Sequence, residues 1–168
     1  MANSPGEPAS GTTSEDVEAF AAGLPARTAL IGIDAGTKTL GLALSDITRT
    51  IASPLKVIRR TKFKEDAADL LHTAAEHRIG GFVLGLPYNL DGTAGPRVQA
   101  TRALARNLNA LCELPILLWD ERLSTAEVER TLLEADASRR RRAQVIDKLA
   151  ATIILQGALD RMRRITSA

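Results

Sequence analysis

Apolar positions along this chain switch between a strand-like and a helix-like rhythm, and the switches mark its elements. Residues 28–34 are apolar and β-branched, with Gly36 as a stop, and read as a strand. Residues 40–46 read as a second strand. The short link 35–39 suits an antiparallel hairpin. Residues 51–58 form a third, in which Pro54 marks an edge or a bulge. The rhythm then turns helical, with Phe63, Ala67, Leu70, Leu71 and Ala74 on one stripe. Gly80 and Gly81 are expected to end that helix. Residues 82–86 are a short continuous apolar run, the pattern of a buried parallel strand. A loop over 87–96, a helix over 98–111 and a fifth strand over 115–119 follow. Ser124 or Thr125 is placed to cap a further helix, with Glu127 and Glu129 near its start and an end near Glu134. Residues 139–142 begin a basic connection, and a last helix runs over 144–162.

The order β-β-β-α-β-α-β-α-α implies an α/β fold: a mixed five-stranded sheet flanked by helices. A length of 168 residues suits one domain. Residues 1–26 are rich in Ala, Gly, Ser, Pro and Thr. They are expected to form a mostly disordered tail, with room for a short helix over 15–22. The folded domain is then 27–168.

Composition narrows the partners. No apolar stretch nears the roughly 20 residues that span a bilayer. The N-terminus lacks the basic start and apolar block of a secretory signal, so the chain reads as cytoplasmic. Cys112 is the one cysteine, which excludes an internal disulfide; its leucine neighbours place it at a helix end against the core. The net charge is only +2, but residues 1–26 hold four acids and no Lys or Arg. The remainder carries 22 basic and 16 acidic residues, a balance of +6 that favours anionic partners such as nucleic acid.

Three acidic positions stand out. Asp34 leaves a buried strand into the loop Ala35-Gly36-Thr37-Lys38, rigidly held behind and open in front, which suits a hard-metal ligand. Lys38 can reach a phosphate as a point charge. Asp120 and Glu121 end another buried parallel strand, where α/β sheets bind ligands. Neighbours on a strand face opposite ways, so the two acids cannot share a role, and spacing does not choose between them. Asp147 shares a helical stripe with Ala151, Ile154 and Ala158, and an acid on so apolar a face needs a metal or an Arg beside it. Three such carboxylates can hold two Mg²⁺ or Mn²⁺ ions about 4 Å apart for in-line phosphoryl displacement. No Cys/His cluster suits zinc, and His72 and His77 lie on a predicted surface helix. Basic groups gather at Arg59, Arg60, Lys62 and Lys64, and again over 139–142. The loop Gly85-Leu86-Pro87-Tyr88-Asn89-Leu90-Asp91-Gly92 leaves a central strand towards the same crevice, with Arg97 beyond it. Tyr88 either stacks on a base or packs on the loop.

Four ordered motifs resemble the YqgF/RuvX family of Holliday-junction resolvases, also described as nucleases that process the precursor of small-subunit ribosomal RNA. They are GIDAGTKTLGLALSD from Gly32, VLGLPYNLDG with Arg97 after it, DERLST from Asp120 and DKLAATIILQ from Asp147, within residues 28–162. The resemblance implies a ribonuclease-H-like fold. It also implies Asp34, Glu121 and Asp147 as a catalytic, metal-binding triad, choosing Glu121 over Asp120. It implies Mg²⁺ or Mn²⁺ as cofactor, and Lys38, Arg97 and Arg122 as nucleic-acid contacts. Relatives often carry Lys-Arg where this chain has Lys38-Thr39.

The substrate is then precursor 16S rRNA or branched DNA, and the chain a monomer or, for symmetric junction cutting, a homodimer. Two rivals have different signatures. A phosphotransferase of the actin and sugar-kinase group shares the Asp34-Ala35-Gly36-Thr37 loop but needs two domains. A non-catalytic nucleic-acid- or ribosome-binding factor has no need of converging carboxylates.

Overall fold

A computed structural model of the chain describes residues 11–123 and 139–167, with side chains in the second segment described over 149–166. Its elements in chain order are β1 (Thr13–Ser14), α1 (Val17–Ala22), β2 (Ala29–Ala35), β3 (Thr39–Ser45), β4 (Ala52–Arg59), α2 (Phe63–Glu76), β5 (Ile79–Leu86), α3 (Pro96–Asn109), β6 (Ile116–Asp120), a 3₁₀ turn (Glu121–Leu123) and α4 (Arg139–Ser167). They build one mixed sheet in the order β1-β6-β5-β2-β3-β4. β2, β3 and β4 are an antiparallel meander, while β5 and β6 run parallel to β2. The expected mixed sheet with flanking helices is therefore present, with six strands rather than five.

The sixth strand comes from the segment expected to be a disordered tail. β1 adds to β6 in parallel through Thr13 and Ser14, and the Ile116 amide donates to the Thr12 carbonyl at 2.8 Å. Asp16 caps α1, its carboxylate accepting from the Glu18 and Ala19 amides. Phe20 is then buried against the sheet. A two-residue strand has no periodicity of its own, and what defines it is its partner.

Each face of the sheet has its own core. One is built from Ile31, Ile33, Leu40, Leu42, Phe82, Leu84, Leu86, Ile116 and Leu118, covered by α2 and α3 through Leu70, Val98 and Leu108. The other is built from Leu30, Ala43, Val83, Leu117 and Trp119, covered by α1 and by α4 through Ala151, Ile154, Leu155 and Ala158. β5 is central and buried along its whole length.

Two expected boundaries move. Gly80 and Gly81 do not end α2; they lie inside β5, and the chain turns earlier, at Arg78 with φ of 50°. The glycines are needed for close approach: a Cβ at Gly80 would sit 2.1 Å from the Thr28 hydroxyl. Residues 139–142, expected as a connection, are the first turn of α4, because arginine is a good helix former. The helix expected after Ser124 lies outside the described residues. Pro54 sits where expected, on edge strand β4 and at a register shift that leaves Leu55 unpaired.

Candidate active site

Asp34 is the sixth residue of β2, and alternation fixes its face. Gly32 points at α4, since a Cβ there would meet Leu155 Cβ at 2.7 Å and the Ala151 carbonyl at 2.9 Å. Asp34, two residues on, shares that face. In register with it on β5 comes Gly85, because Ile33 pairs with Leu84 one step earlier. Gly85 pairs in turn with Trp119 of β6. Asp34, Gly85 and Trp119 thus form one row across three parallel strands, at the ends where those strands leave the sheet.

Glu121 folds back over that row. A Cβ on Gly85 would lie 2.6 Å from Glu121 Oε1 and 2.5 Å from Ile154 Cδ1. Gly85 therefore leaves open the space that the Glu121 carboxylate occupies, in the same row as Asp34. Both acids are partly buried, and both have interaction partners. Asp147 lies on α4, one turn before Ala151, and its side chain is outside those described. Among the described residues no three acidic, His or Cys side chains gather as a metal cluster. The donor set nonetheless fits a hard cation: two carboxylates on one face, over a space a single methyl would fill.

Asp120 is built for something else. It pairs in register with Leu86, so it faces the α2/α3 side. Arg122 forks onto it, Nε donating to Oδ1 and Oδ2 at 3.1 Å each and Nη2 to Oδ2 at 2.7 Å. Those bonds hold its carboxyl below the usual carboxylate range.

A groove of about 1020 Å³ opens from Asp34. It is bounded by the turn Gly36-Thr37-Lys38-Thr39, by β4 through Leu55, Val57 and Arg59, and by Arg97. The turn closes with the Gly36 amide donating to the Thr39 carbonyl at 2.9 Å, and the Arg60 guanidinium donates to the Gly36 carbonyl at 2.7 Å. The bulge at Leu55 brings the edge strand's apolar residues into the groove wall. Lys38, Lys56, Arg59 and Arg97 supply positive charge, with Lys56 already paired to Asp69 at 2.8 Å. Neither Lys38 nor Arg97 forms an ion pair with a described residue. The structure thus brings Lys38 and Arg97 to Asp34, and sets Arg122 against Asp120 and the Tyr88 ring, 5.3 Å from its centroid.

Several contributors were not singled out as site residues. Gly85 had a legible signal, a glycine inside a buried strand. Arg59 and Arg60 belonged to a noted cluster, but only the fold separates their roles: one lines the groove and the other pins the turn. Cys112 is half-buried against the α2/α3 core, and burial pushes its thiol pKa up. His72 and His77 are exposed on and just after α2. No described helix is long and apolar enough to cross a membrane.

A family profile, RuvX, described as Holliday junction resolvase, matches residues 28–161. A Rhodobacter capsulatus protein named "Putative pre-16S rRNA nuclease" is 60% identical over 149 residues, covering 89% of this chain and 94% of its own. A Paracoccus denitrificans protein of the same name is also 60% identical, with the same coverage. Among solved structures, Thermus thermophilus RuvC in complex with a Holliday junction substrate superposes with a TM-score of 0.50 at 16% identity, covering 80% of this chain and 96% of that one. A second T. thermophilus RuvC structure gives 0.50 at 14% identity, covering 83% and 98%. At such identities the likeness is one of fold, and the fold is that of the ribonuclease-H-like resolvases.

Proposed function

The chain belongs to the RuvX family, and from that premise we propose that it is a nuclease that hydrolyses phosphodiester bonds with divalent metal ions, acting on precursor 16S rRNA. One observation carries this reading: the Glu121 carboxylate lies over Gly85, the β5 neighbour in register with Asp34, and Asp34 itself lines a basic groove. A pure binding factor has no use for carboxylates beside a polyanion, because they repel it. The RNA assignment follows the naming of relatives at 60% identity. Branched DNA, named in the family's description, is the second substrate to test.

In this reading Asp34 and Glu121 hold the metal, with Asp147 of α4 as the third carboxylate, and Mg²⁺ or Mn²⁺ matches the all-oxygen donors. Such a cation, when bound, supplies an activated water and neutralises charge on the leaving oxygen. The chain's own residues do the remaining work. Lys38 and Arg97 bind the phosphates flanking the cut and orient the backbone along the groove. Arg60 keeps the turn that carries Lys38 in place. Arg122 is neutralised by Asp120, which leaves the phosphate contacts to Lys38 and Arg97. A cytoplasmic site of action follows from an rRNA precursor as substrate.

The test is cleavage of two end-labelled substrates, a precursor rRNA fragment and a four-way DNA junction, in Mg²⁺, Mn²⁺ or EDTA, by wild type and Asp34→Asn. Metal-dependent cutting of the rRNA fragment, lost in the variant, is the expected result. Preferential cutting of the junction reassigns the substrate. Binding without cutting in every metal overturns the nuclease reading.

A further inference from the structure

The segment that precedes the family match reaches the catalytic end of the sheet. Glu15 follows β1, and its Oε1 accepts from the Tyr88 hydroxyl at 2.8 Å and from Arg102 Nη2 at 2.9 Å. Arg102 Nη2 also donates to the Tyr88 hydroxyl at 2.6 Å. Three elements meet there: the N-terminal segment, the loop after β5, and α3. The Tyr88 hydroxyl both donates and accepts, so the ring cannot swing away without breaking two bonds.

That ring carries Arg122, whose guanidinium carbon stands 5.3 Å from its centroid. Arg122 in turn closes around Asp120, with its side-chain fork and with its backbone amide, which donates to Asp120 Oδ1 at 3.0 Å. Glu121 is the residue enclosed between these two. The same loop also approaches Arg122 at Gly92, where a Cβ would lie 3.3 Å from Arg122 Nη1.

We propose that Glu15, Tyr88 and Arg102 form a brace that positions Glu121 through Arg122 and Asp120. Glu15, Tyr88 and Arg102 are positioning residues, and the N-terminal segment is part of the active site's support. The inference rests on the metal-dependent reading of Glu121. Individual exposed ion pairs count for little, so the effect should concentrate at Tyr88, where the bonds converge.

The experiment uses the full chain and two readouts independent of cleavage. One is Mn²⁺ affinity, from the free-ion paramagnetic resonance signal; the other is hydrogen exchange at the amides of 121–123. Tyr88→Ala should weaken Mn²⁺ binding about tenfold, the scale for groups that orient a ligand without touching the metal. It should also speed exchange at Arg122. Tyr88→Phe and Glu15→Gln keep the ring and should weaken binding only about two- to threefold. Both mild variants also guard against misfolding of Tyr88→Ala. Faster exchange with wild-type Mn²⁺ affinity overturns the positioning of Glu121, and wild-type exchange in all three variants overturns the brace. Absence of Mn²⁺ binding by the wild type refutes the metal reading instead, and the brace is then judged on exchange alone.

Discussion

The two faces of the sheet are made to different rules. Towards α2 and α3 the strands present Ile31, Ile33, Leu40, Leu42, Phe82 and Leu84, all but sealed from solvent. Each such side chain contributes on the order of 1.5–3 kcal/mol by burial. Towards α4 the sheet mixes large residues, Leu30, Val83 and Trp119, with small ones, Gly32, Ala43 and Gly85, and α4 likewise mixes Ile154 and Leu155 with Ala151 and Ala158. At Gly32 the missing side chain lets the helix backbone come close, and at Gly85 the Glu121 carboxylate takes the space. Both faces carry a core, and the α4 face alone also carries Asp34 and Glu121, the carboxylates of the proposed site. Adjacent residues can therefore belong to different tasks, as Asp120 and Glu121 do.

The largest effect should come from separating those two acids. Glu121→Gln should lower cleavage more than about 100-fold, since even groups that merely orient metal ligands are worth about 10–100-fold. Asp120→Asn keeps the side-chain shape and should cost about tenfold or less. Equal losses in a side-by-side rate measurement would refute the assignment of faces.

On the closed face, Leu70→Ala should cost about 2–5 kcal/mol of stability, read by chemical denaturation, and leave Mn²⁺ affinity unchanged. On the open face the two glycines should divide. A methyl at Gly32 strikes the Ala151 carbonyl, which belongs to the helix backbone, so Gly32→Ala should cost about 1–3 kcal/mol. The nearest atoms to a methyl at Gly85 all belong to side chains, Ile154 Cδ1 and Cγ1 and Glu121 Oε1. Gly85→Ala should therefore spare most of the stability and weaken Mn²⁺ binding about tenfold, by displacing one ligand. A Gly85→Ala protein with wild-type metal affinity would show that Glu121 does not need that space.

The division between the faces was partly legible in the sequence. Alternation along the strands and the helical stripe of α2 follow from local periods, and Pro54 announced the edge strand. Alternation also said that Asp120 and Glu121 oppose each other, but not which faces α4; that depends on the pairing of Gly85 with Trp119 across two strands. Gly80 and Gly81 misled because a glycine pair that permits close packing looks the same in sequence as one that stops a helix. β1 and the Glu15 contacts were illegible for a different reason. Tyr88 lies 73 residues from Glu15 and Arg102 lies 87 away, and no local pattern encodes contacts at that distance. The helical start of α4 was hidden by a run of arginines that reads equally as a solvated connection.

The smallest effect belongs to a carboxylate at the opposite end of the sheet. Asp46 and Asp34 close and open the same motif, but β3 runs antiparallel to β2 and carries Asp46 away from the groove. There Asp46 ties the β3–β4 loop, accepting from the Ile51 amide at 2.9 Å, from the Thr48 hydroxyl and from the Thr50 amide at 2.8 Å. Chiefly the Ile51 amide, then the Thr48 hydroxyl, lower its pKa from 3.8 to about 2. A depressed folded-state pKa stabilises the fold above the unfolded value, and that contribution is lost as pH falls from about 3.8 towards about 2. Its size is small because the group is exposed. In a carboxyl-resolved NMR titration Asp46 should reach its midpoint near pH 2, and Thr48→Val should raise that midpoint towards 3.8. A wild-type midpoint already near 3.8 would mean that the loop's amides do not hold the carboxylate in solution. The two ends of the sheet would then differ less than their hydrogen bonds imply.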